Sequence, residues 1–424
     1  MNSAQALLGI DNCPCGKKHT CDIRYVEIGH DALSKLPTVT ADFSHILLVA
    51  DGNTDPLCGD RIREILGEKI QSTALFGCEL VVPNETAIAH IEAAMTPETD
   101  LILGIGSGVI NDLCKYVAFT HGMRYVIVAT APSMDGYASV GSALILQDQK
   151  ITKTTSVPFA ILAEPEVLCT APIDMLRSGY GDIVGKYSCL CDWRLAARLR
   201  GEYFCDLVHD TIMETVKSTE VLAEKILARD PEAIGALMEA LVLVGVMISY
   251  VGNSRPASGS EHHFSHYFEI TGLLNSRPYY LHGIDVLYSA ALTAQLREKL
   301  LKLERPLPAL AAYAANWQDG VRAIYSTAAE DIIEAQKKVG LYDTALDIVA
   351  LDEAWDDVRA ILADAPDYAK MCTYVDAIGL NMRDFAAFYG EKCINDGVLY
   401  AKDLKDRFTV LWLTYALGID SVSI

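Results

Sequence analysis

The sequence predicts an α/β nucleotide-binding domain followed by an all-helical domain. Over roughly the first 170 residues, short apolar runs typical of buried strands alternate with segments of helical periodicity, which is the pattern of a parallel sheet covered by helices. One of these strands runs into a glycine-rich turn that opens a helix. From Ala171 onward helical periodicity dominates and strand runs vanish. We therefore expect an α/β dinucleotide-binding domain over residues 1–170 and a helical metal- and substrate-binding domain over residues 171–424.

The predicted elements of the first domain follow from apolar runs bounded by turn residues. We predict strands at residues 23–28, 45–50, 74–76, 79–82, 100–103, 125–128, 142–146 and 161–163. We treat 142–146 and 161–163 as a hairpin-like pair. The predicted helices cover residues 57–69 and 85–95, and a third begins near Val109.

Small and acidic residues follow several of these strands. Asp51 comes directly after the strand 45–50, and the turn Gly104-Ile105-Gly106-Ser107-Gly108 follows the strand 100–103. A strand, a glycine-rich turn and a helix together present backbone N–H groups and a helix N-terminus to a pyrophosphate. The spacing G-x-G-x-G differs from the dinucleotide fingerprint G-x-G-x-x-G, so a tight strand–helix connection is the alternative interpretation.

The stretch Thr130 to Ser139, T-A-P-S-M-D-G-Y-A-S, follows the strand 125–128. Hydroxyl side chains and Asp135 at the carboxyl end of a strand fit a ligand crevice. A turn formed by proline and glycine is the alternative.

A cluster of histidines dominates the second domain. The chain has 10 histidines, and His262, His263, His266 and His282 fall within one short stretch. In a helix, His262 and His266 lie on one face, because they are four residues apart. Imidazole is a common metal ligand, and a site open to substrate needs three protein ligands, so we expect Asp182 to complete a set with His262 and His282. The alternative is that these histidines bind no metal.

Composition excludes several classes of partner. A net charge of -21 without any basic run argues against nucleic acid and against an anionic membrane surface. The longest apolar run, Ala240 to Ile248, is too short to cross a bilayer and indicates a buried helix. The start of the chain lacks the pattern of a secretory signal.

The 12 cysteines are scattered, which indicates free thiols in a reducing cytoplasm. The exception is C-P-C-G-K-K-H-T-C, where Cys13, Cys15, His19 and Cys21 lie close together in sequence. A group this dense can bind zinc, but the spacing matches no common zinc module, and a surface loop of reduced thiols is the alternative.

Several motifs together resemble one known family. These are G-I-G-S-G-V-I-N-D-L-C-K, A-P-S-M-D-G-Y-A-S, G-D-I-V-G-K, S-R-P-A-S-G-S-E-H and L-H-G. They resemble the glycerol-1-phosphate dehydrogenases, within the superfamily of dehydroquinate synthase, glycerol dehydrogenases and iron-containing alcohol dehydrogenases. The N-terminal C-P-C-G-K-K-H resembles the start of the bacterial branch. The resemblance covers roughly residues 10 to 300, since the helical tail is not diagnostic.

The resemblance implies a role for each matching position. It implies a dehydroquinate synthase-like fold with a metal held by Asp182, His262 and His282. It implies that Asp51 meets the adenosine ribose, which favours NAD over NADP, and that Asp135 faces the substrate hydroxyls. It implies that the pyrophosphate rests on Gly104, Gly106, Ser107 and Gly108, with Asp112 and Lys115 supporting the turn. It also implies that Thr130 and Ser133 line the nicotinamide side, which completes the set of cofactor-binding residues.

A phosphorylated substrate needs local cations in so acidic a chain. Arg255 and Lys153 are our candidates, with Arg277 as a rival and a surface salt bridge as the alternative role for Arg255. His266 lies one helical turn from His262 and is a candidate for binding substrate phosphate or relaying a proton.

The segment Val184-Gly185-Lys186 follows the predicted acid ligand. Lys186 is four residues after Asp182 and can form an i,i+4 pair with it. Gly185 lies inside the expected helix, where glycine costs about 1 kcal/mol relative to alanine, which suggests a close approach by a helix or ligand.

These expectations describe a cytoplasmic, metal-dependent oxidoreductase. It reversibly reduces dihydroxyacetone phosphate to sn-glycerol 1-phosphate, in phospholipid metabolism, with NAD or NADP and one divalent ion of zinc, nickel or iron. The stereochemistry rests on the resemblance alone. We expect a small phosphorylated substrate, no nucleic acid, no membrane insertion and a homo-oligomer, a dimer or larger. The alternatives are a dehydrogenase for glycerol or another unphosphorylated polyol, a dehydroquinate synthase-like lyase, and an inactive nucleotide-binding protein.

Overall fold

The computed structural model describes residues 6–7, 9–147, 149–306, 316–344 and 348–423. Contacts divide the chain into two units. Unit 1 comprises Met1–Gly179 and Glu224–Gly252, and unit 2 comprises Tyr180–Ala223 and Asn253–Ile424. The first unit therefore extends beyond the predicted boundary at residue 170 and also includes the later segment Glu224–Gly252.

Unit 1 contains a parallel sheet of six strands in the order β1-β8-β5-β4-β2-β3, together with an antiparallel pair, β6-β7. The strands are β1 (Tyr25–Ile28), β2 (Ile46–Asp51), β3 (Ile70–Phe76), β4 (Leu101–Gly106), β5 (Arg124–Ala129), β6 (Gly141–Leu146), β7 (Gln149–Thr154) and β8 (Ala160–Ala163). The prediction of a parallel α/β domain is confirmed.

In chain order, the helices are α1 (Leu36–Val39), α2 (Asp55–Leu66), α3 (Glu85–Ala93), α4 (Gly108–Thr120), α5 (Pro165–Leu168), α6 (Ile173–Val184), α7 (Lys186–Arg200), α8 (Asp206–Thr219), α9 (Ala223–Leu227), α10 (Pro231–Val251), α11 (Ser260–Leu274), α12 (His282–Leu301), α13 (Trp317–Tyr325), α14 (Ala329–Val339), α15 (Leu341–Thr344), α16 (Ile348–Glu353), α17 (Trp355–Asp364), α18 (Tyr368–Ala377), α19 (Met382–Tyr389), α20 (Glu391–Tyr400) and α21 (Val410–Ala416).

The strands β2, β4 and β5 form the centre of the sheet. All residues of β4 are buried, as are the first five of β2 and the last five of β5. A parallel strand covered on both faces needs a continuous apolar run, which these segments supply. The chain moves to one side of the sheet after β2 and to the other side after β4, so the order reverses between these neighbours. Ligands of open α/β sheets bind beyond the carboxyl ends of strands at such a point.

Two strand predictions were wrong. Residues 79–82 form no strand; Leu80 in this segment is 89% exposed, so the apolar letters do not mark a core. The hairpin partner of β6 is β7, with Ser142 opposite Lys153, whereas Ala160–Ala163 joins the main sheet beside β1 and β5. The polar composition of β7 hid it, and the side chains from Ile151 to Thr154 are half-buried or exposed.

The helix α10 explains why unit 1 includes residues 224–252. Gly245 packs so closely on the 3₁₀ helix Asp135–Ala138 that a Cβ there would lie 2.8 Å from the Cβ of Ala138. The hydroxyl of Ser249 donates a hydrogen bond to the carbonyl of Ala138 at 3.2 Å. Among the described helices, α10 alone is long and apolar enough to cross a membrane, but 78% of its apolar window is buried inside the protein. A core helix accounts for that composition.

Every regular element in the described part of unit 2 is a helix, which confirms the predicted helical C-terminal region. Its centre is the pair α11 and α12, joined by a short connection and packed along each other. Both helices carry predicted metal ligands near their first residues. The end of α6 supplies the third.

Candidate metal centre and nucleotide-binding edge

The three predicted metal ligands meet in unit 2. The ligand atoms of Asp182, His262 and His282 all lie within 4.8 Å of one another. Nε2 of His262 is 3.5 Å from Oδ1 of Asp182, and the ring centroids of the two histidines are 5.0 Å apart. A carboxylate and two imidazoles form a donor set that zinc, nickel and iron all accept. The residues therefore fit a divalent ion.

Two glycines, Gly181 and Gly185, allow the helices to approach closely enough for this arrangement. A Cβ on Gly181 would lie 2.2 Å from the carbonyl oxygen of Gly283, so the end of α6 touches the first turn of α12. A Cβ on Gly185 would lie 2.4 Å from Cγ1 of Val286. The close approach suggested by Gly185 is thus an approach between helices. Gly181 and Gly185 lie on either side of the acid ligand Asp182 in the sequence, and their contacts with α12 bring that side chain close to the second histidine ligand.

Hydrogen bonds orient both imidazoles. Oε1 of Glu261 lies 2.6 Å from Nδ1 of His262 and also accepts the backbone N–H of Gly259. The Ser265 hydroxyl donates to the carbonyl of His282 and lies 3.2 Å from Nδ1 of that ring. Both contacts favour a proton on Nδ1 and a lone pair on Nε2, as partners of metal-bound histidines do. Sequence reasoning missed Glu261 and Ser265, although Ser265 is three residues after His262 and therefore on a neighbouring helical position.

The charged groups of the site shift the pKa values of their neighbours. Burial alone would raise the pKa of Asp182, but the Lys186 ammonium, 2.7 Å away, and the imidazoles of His262 and His282 lower it. Burial and Lys186 act to lower the pKa of His262, whereas its contacts with Asp182 and Glu261 raise it, and the net direction is upward. A proton held between acid and imidazole must leave before an ion binds, so metal affinity should fall as the solution becomes more acidic.

His266 lies beside the three ligands without belonging to the set. Its ring centroid is 5.6 Å from that of His282 and 6.4 Å from that of His262. Nδ1 of His266 is 4.0 Å from a carboxylate oxygen of Glu269, and the side chain is 23% exposed. The position allows contact with both solvent and a small molecule at the metal centre.

Arg255 does not have the environment expected of a phosphate ligand. Its side chain is 3% exposed, and Nε donates to Glu202 at 2.8 Å. One terminal nitrogen donates to the carbonyls of Asp192 and Phe408. The guanidinium is thus a buried cross-link of unit 2. Its rival Arg277 is exposed beyond the end of α11. The ten residue steps from His262 to Gly272 alone rise about 15 Å along that helix.

Lys153 is exposed on β7 in unit 1. It lines a surface cavity of about 460 Å³ together with Glu85 and Glu92. Two carboxylates in the same cavity oppose the binding of an anion. A phosphate contact by Lys153 therefore remains a prediction without support from its surroundings.

The predicted nucleotide-binding residues lie along the carboxyl edge of the sheet in unit 1. Asp51 ends β2, Gly106 ends β4, and Thr130 follows β5 and donates its backbone N–H to the carbonyl of Gly106 at 3.1 Å. These strands are neighbours, and the order of the sheet reverses between β2 and β4. Oδ1 of Asp51 accepts the backbone N–H groups of Asn53 and Thr54, which fixes the turn after β2.

Two glycines of the G-x-G-x-G turn are required by packing. A Cβ on Gly104 would lie 2.9 Å from Sγ of Cys114, and one on Gly106 would lie 2.6 Å from Cβ of Ile110. The tight strand–helix connection is therefore real. The helix α4 that follows has Ser107 at its N-cap position without a side-chain capping bond. Uncapped N–H groups at a helix start favour an anion, so the edge also fits a pyrophosphate.

Asp112 and Lys115 hold a different segment from the one expected. Oδ2 of Asp112 accepts the backbone N–H of Ala143 at 3.1 Å. The buried ammonium of Lys115 donates to the carbonyls of Gly136 and Gly141. Both side chains thus fasten residues 136–143 onto α4. The expectation that they support the glycine turn does not match these bonds.

The segment after β5 is also fixed in unit 1. The Ser178 hydroxyl donates to the carbonyl of Ser133 at 2.9 Å. Asp135 is half-buried at the start of a 3₁₀ helix. Burial lowers the pKa of Lys115, and the charges of Asp112 and Asp135 counteract that effect. Asp135 is therefore held near a buried cation.

The sequence is similar to curated dehydrogenases over most of its length. The sequence model of the iron-containing alcohol dehydrogenase family matches residues 27–172. A glycerol-1-phosphate dehydrogenase [NAD(P)+] from Bacillus licheniformis is 28% identical, across 96% of this chain and 92% of the relative. The enzyme of the same name from Halalkalibacterium halodurans is 32% identical, across 69% of this chain and 75% of the relative. That from Sulfurisphaera tokodaii is 36% identical, across 60% of this chain and 73% of the relative.

Solved structures share the fold at low sequence identity. Glycerol dehydrogenase from Schizosaccharomyces pombe matches with a TM-score of 0.59 and 15% identity, across 94% of this chain and 89% of the other. An alcohol dehydrogenase from Oenococcus oeni matches with a TM-score of 0.61 and 12% identity, across 92% and 94% of the two chains. These likenesses concern the fold alone.

Proposed function

This chain belongs to the glycerol-1-phosphate dehydrogenase family, and on that premise we propose that it reversibly reduces dihydroxyacetone phosphate to sn-glycerol 1-phosphate with NAD(P)H and a divalent metal ion. The observation that carries the proposal is the meeting of Asp182, His262 and His282, whose ligand atoms lie within 4.8 Å of one another. When bound, the ion would act as a Lewis acid on the substrate carbonyl and the nicotinamide would carry the hydride.

The side chains of this chain hold and orient the participants. Glu261 and Ser265 contact Nδ1 of the two imidazoles and would leave Nε2 of each available to an ion. His266 supplies or accepts the proton of the substrate hydroxyl, because it lies beside the ligand histidines and is in contact with solvent. The choice among zinc, nickel and iron is left open by a carboxylate and two imidazoles.

We propose that the uncapped start of α4 binds the pyrophosphate, through Ser107 and Gly108, and that Asp51 binds the adenosine ribose. A carboxylate at that position would repel the extra phosphate of NADP, so we propose a preference for NAD. Asp135 and Lys153 remain predicted substrate contacts, and a cytoplasmic homo-oligomer remains an expectation.

A second candidate is a dehydrogenase for an unphosphorylated polyol. The buried position of Arg255, bound to Glu202 and two carbonyls, favours it by removing the expected phosphate ligand. The two candidate functions differ in whether the enzyme requires a phosphate group on its substrate.

The deciding experiment compares dihydroxyacetone phosphate with dihydroxyacetone, using NADH and NADPH, before and after chelation. We expect oxidation of NADH with the phosphorylated ketone, loss of the rate on chelation, and recovery with zinc, nickel or iron. His262→Gln should abolish the rate, and His209→Gln, a histidine of unit 2 outside the cluster, should retain it. Equal rates with both ketones would favour the polyol dehydrogenase. Tightly retained NAD without net turnover would indicate a lyase.

A further inference from the structure

The cysteine-rich segment of unit 1 is folded back on itself near its start. The backbone groups of Ile10 and His19 exchange two hydrogen bonds, of 2.8 and 2.9 Å. A Cβ on Gly9 would lie 2.7 Å from the carbonyl of His19, so only glycine permits this approach. Within the loop, Gly16 has a φ of 82° and donates its N–H to the carbonyl of Cys13. The loop thus closes as a tight turn that brings its side chains together.

Three soft ligands meet inside this loop. Sγ of Cys13, Sγ of Cys15 and a ring nitrogen of His19 lie within 4.8 Å of one another. Sγ of Cys15 is 3.3 Å from Nε2 of His19. Tetrahedral zinc, with Zn–S of about 2.3 Å and Zn–N of about 2.0 Å, would hold a sulfur and a nitrogen about 3.5 Å apart. The spacing fits two neighbouring ligands of one ion.

The imidazole of His19 is already oriented for this role. Its Nδ1 lies 3.0 Å from the carbonyl oxygen of Tyr250. Because a carbonyl oxygen can only accept a hydrogen bond, Nδ1 carries the ring proton in this contact. The ring is fully buried and stacks on the Tyr250 ring, with centroids 5.0 Å apart and planes 10° from parallel. Nε2 therefore carries the lone pair and faces the thiols, as in metal-bound histidines whose second nitrogen donates to a carbonyl.

We propose that Cys13, Cys15 and His19 bind a structural zinc ion, separate from the centre formed by Asp182, His262 and His282. Two thiols release their protons to solvent as two sulfur–metal bonds form, and no electron is transferred. Thiolate and imidazole select zinc over the harder divalent ions. A water molecule or a further side chain takes the remaining coordination position. The ion would fasten the start of the chain to the end of α10.

Cys21 provides a matched control. It belongs to the same motif, but its sulfur is not among the ligand atoms that lie within 4.8 Å of those of Cys13, Cys15 and His19. Burial raises the pKa of its thiol to about 11, and its side chain interacts with Ser249. Sequence reasoning grouped Cys21 with the other three residues, and the structure separates it from them.

The test measures the metal content and the cobalt spectrum of the full-length protein. Zinc-loaded, desalted protein should contain two equivalents of zinc per chain, and Cys15→Ser should contain one, whereas Cys21→Ser keeps two. Asp182→Asn should also contain one. After cobalt replacement, Asp182→Asn should retain a thiolate-to-metal charge-transfer band that Cys15→Ser lacks.

Zinc-edge X-ray absorption of the unsubstituted protein makes the result independent of variant folding. Sulfur neighbours at about 2.3 Å are expected. A spectrum without sulfur ligands, or equal zinc content in Cys15→Ser and the unsubstituted protein, would overturn the proposal. The loss of one equivalent of zinc in Cys15→Ser and the sulfur neighbours do not depend on the proposed function, because neither readout measures the enzymatic reaction or requires an ion at Asp182.

Discussion

Two side chains outside the set of metal ligands determine which nitrogen of each imidazole is available to bind an ion. Glu261 contacts Nδ1 of His262, and Ser265 contacts Nδ1 of His282. Without such partners an imidazole can turn or carry its proton on the wrong nitrogen. Partners of this kind typically contribute a factor of 10–100 to metal affinity.

We expect Glu261→Gln to weaken metal binding by about 10- to 100-fold, because the amide no longer accepts the N–H with a full charge. Competition with a chromogenic chelator measures the change. Glu269→Gln is the control, since that carboxylate lies on the same helix but is 4.0 Å from His266. Equal affinity in the two variants would contradict the role of Glu261.

A second residue joins two helix starts of unit 2. The buried carboxylate of Asp192 accepts the backbone N–H groups of Ser260 and Val410, each at 2.6 Å. Burial, together with the nearby charge of Glu261, raises the pKa of Asp192 to about 6, although Arg255 and the two N–H groups oppose the change. Between its ordinary pKa of 3.8 and about 6, this carboxyl binds more protons in the folded than in the unfolded chain.

The contribution of Asp192 to stability should therefore fall as the pH rises through this range. We expect the free energy of unfolding of the unsubstituted protein, minus that of Asp192→Asn, to decrease by about 1 kcal/mol from pH 5 to pH 7. Urea unfolding at several pH values measures it. A constant difference for Asp192→Asn would refute the prediction.

At the scale of helices, the metal centre depends on the contact between α6 and α12. Gly181 lets the two backbones lie together, since a methyl group there would lie 2.2 Å from the carbonyl oxygen of Gly283. Backbone cannot yield as a flexible side chain can. The helices would have to separate, and each carries a ligand next to its glycine.

Gly181→Ala should lower the free energy of unfolding by about 1–3 kcal/mol and weaken metal binding at the same time. Urea unfolding and chelator competition measure the two effects. Gly77→Ala is the control, because a Cβ there would meet nothing within 4 Å. Unchanged metal affinity in Gly181→Ala would show that the contact does not position the ligands.

What the sequence could predict at this scale depended on local pattern. The buried strands β2, β4 and β5 were recognisable as apolar runs, and the ligand helix α11 as histidines four residues apart. The strand β7 was missed because it is polar. Arg255 was misjudged because its partners Glu202 and Phe408 are distant in sequence. Contacts between such distant residues produce no regular spacing in the sequence.

At the scale of the whole molecule, metal binding and folding are linked. An ion that binds only the folded chain stabilises it by about 2.7 kcal/mol at 100 times its dissociation constant. We expect metal added back to the chelated protein to raise the free energy of unfolding by this amount. Urea unfolding measures it. His262→Gln should lose the part of the gain that comes from the ion at Asp182, His262 and His282, and should keep the part that comes from the ion proposed at Cys13, Cys15 and His19. An identical gain in that variant would place the stabilising ion elsewhere.

The net charge of -21 opposes the binding of anionic ligands. An anionic nucleotide and an anionic substrate approach against the overall field, so local positive potential has to come from a few places. The start of α4 is one such place, because helix N-termini carry partial positive charge. The sequence revealed the overall charge but could not reveal which cations are already neutralised, as Arg255 is by Glu202.

The assignment of α10 to unit 1 has a consequence for synthesis on the ribosome. All six strands of the main sheet have been translated by Ala163, yet α10, which covers the 3₁₀ helix after β5, follows only from Pro231. The intervening residues 180–223 belong to unit 2. In a nascent chain, the first unit therefore stays incomplete after its sheet has been translated. Its apolar surface remains uncovered until residues up to Gly252 have emerged. The imidazole of His19 likewise lacks its hydrogen-bond partner until Tyr250 has been translated, because that partner is the carbonyl oxygen of Tyr250.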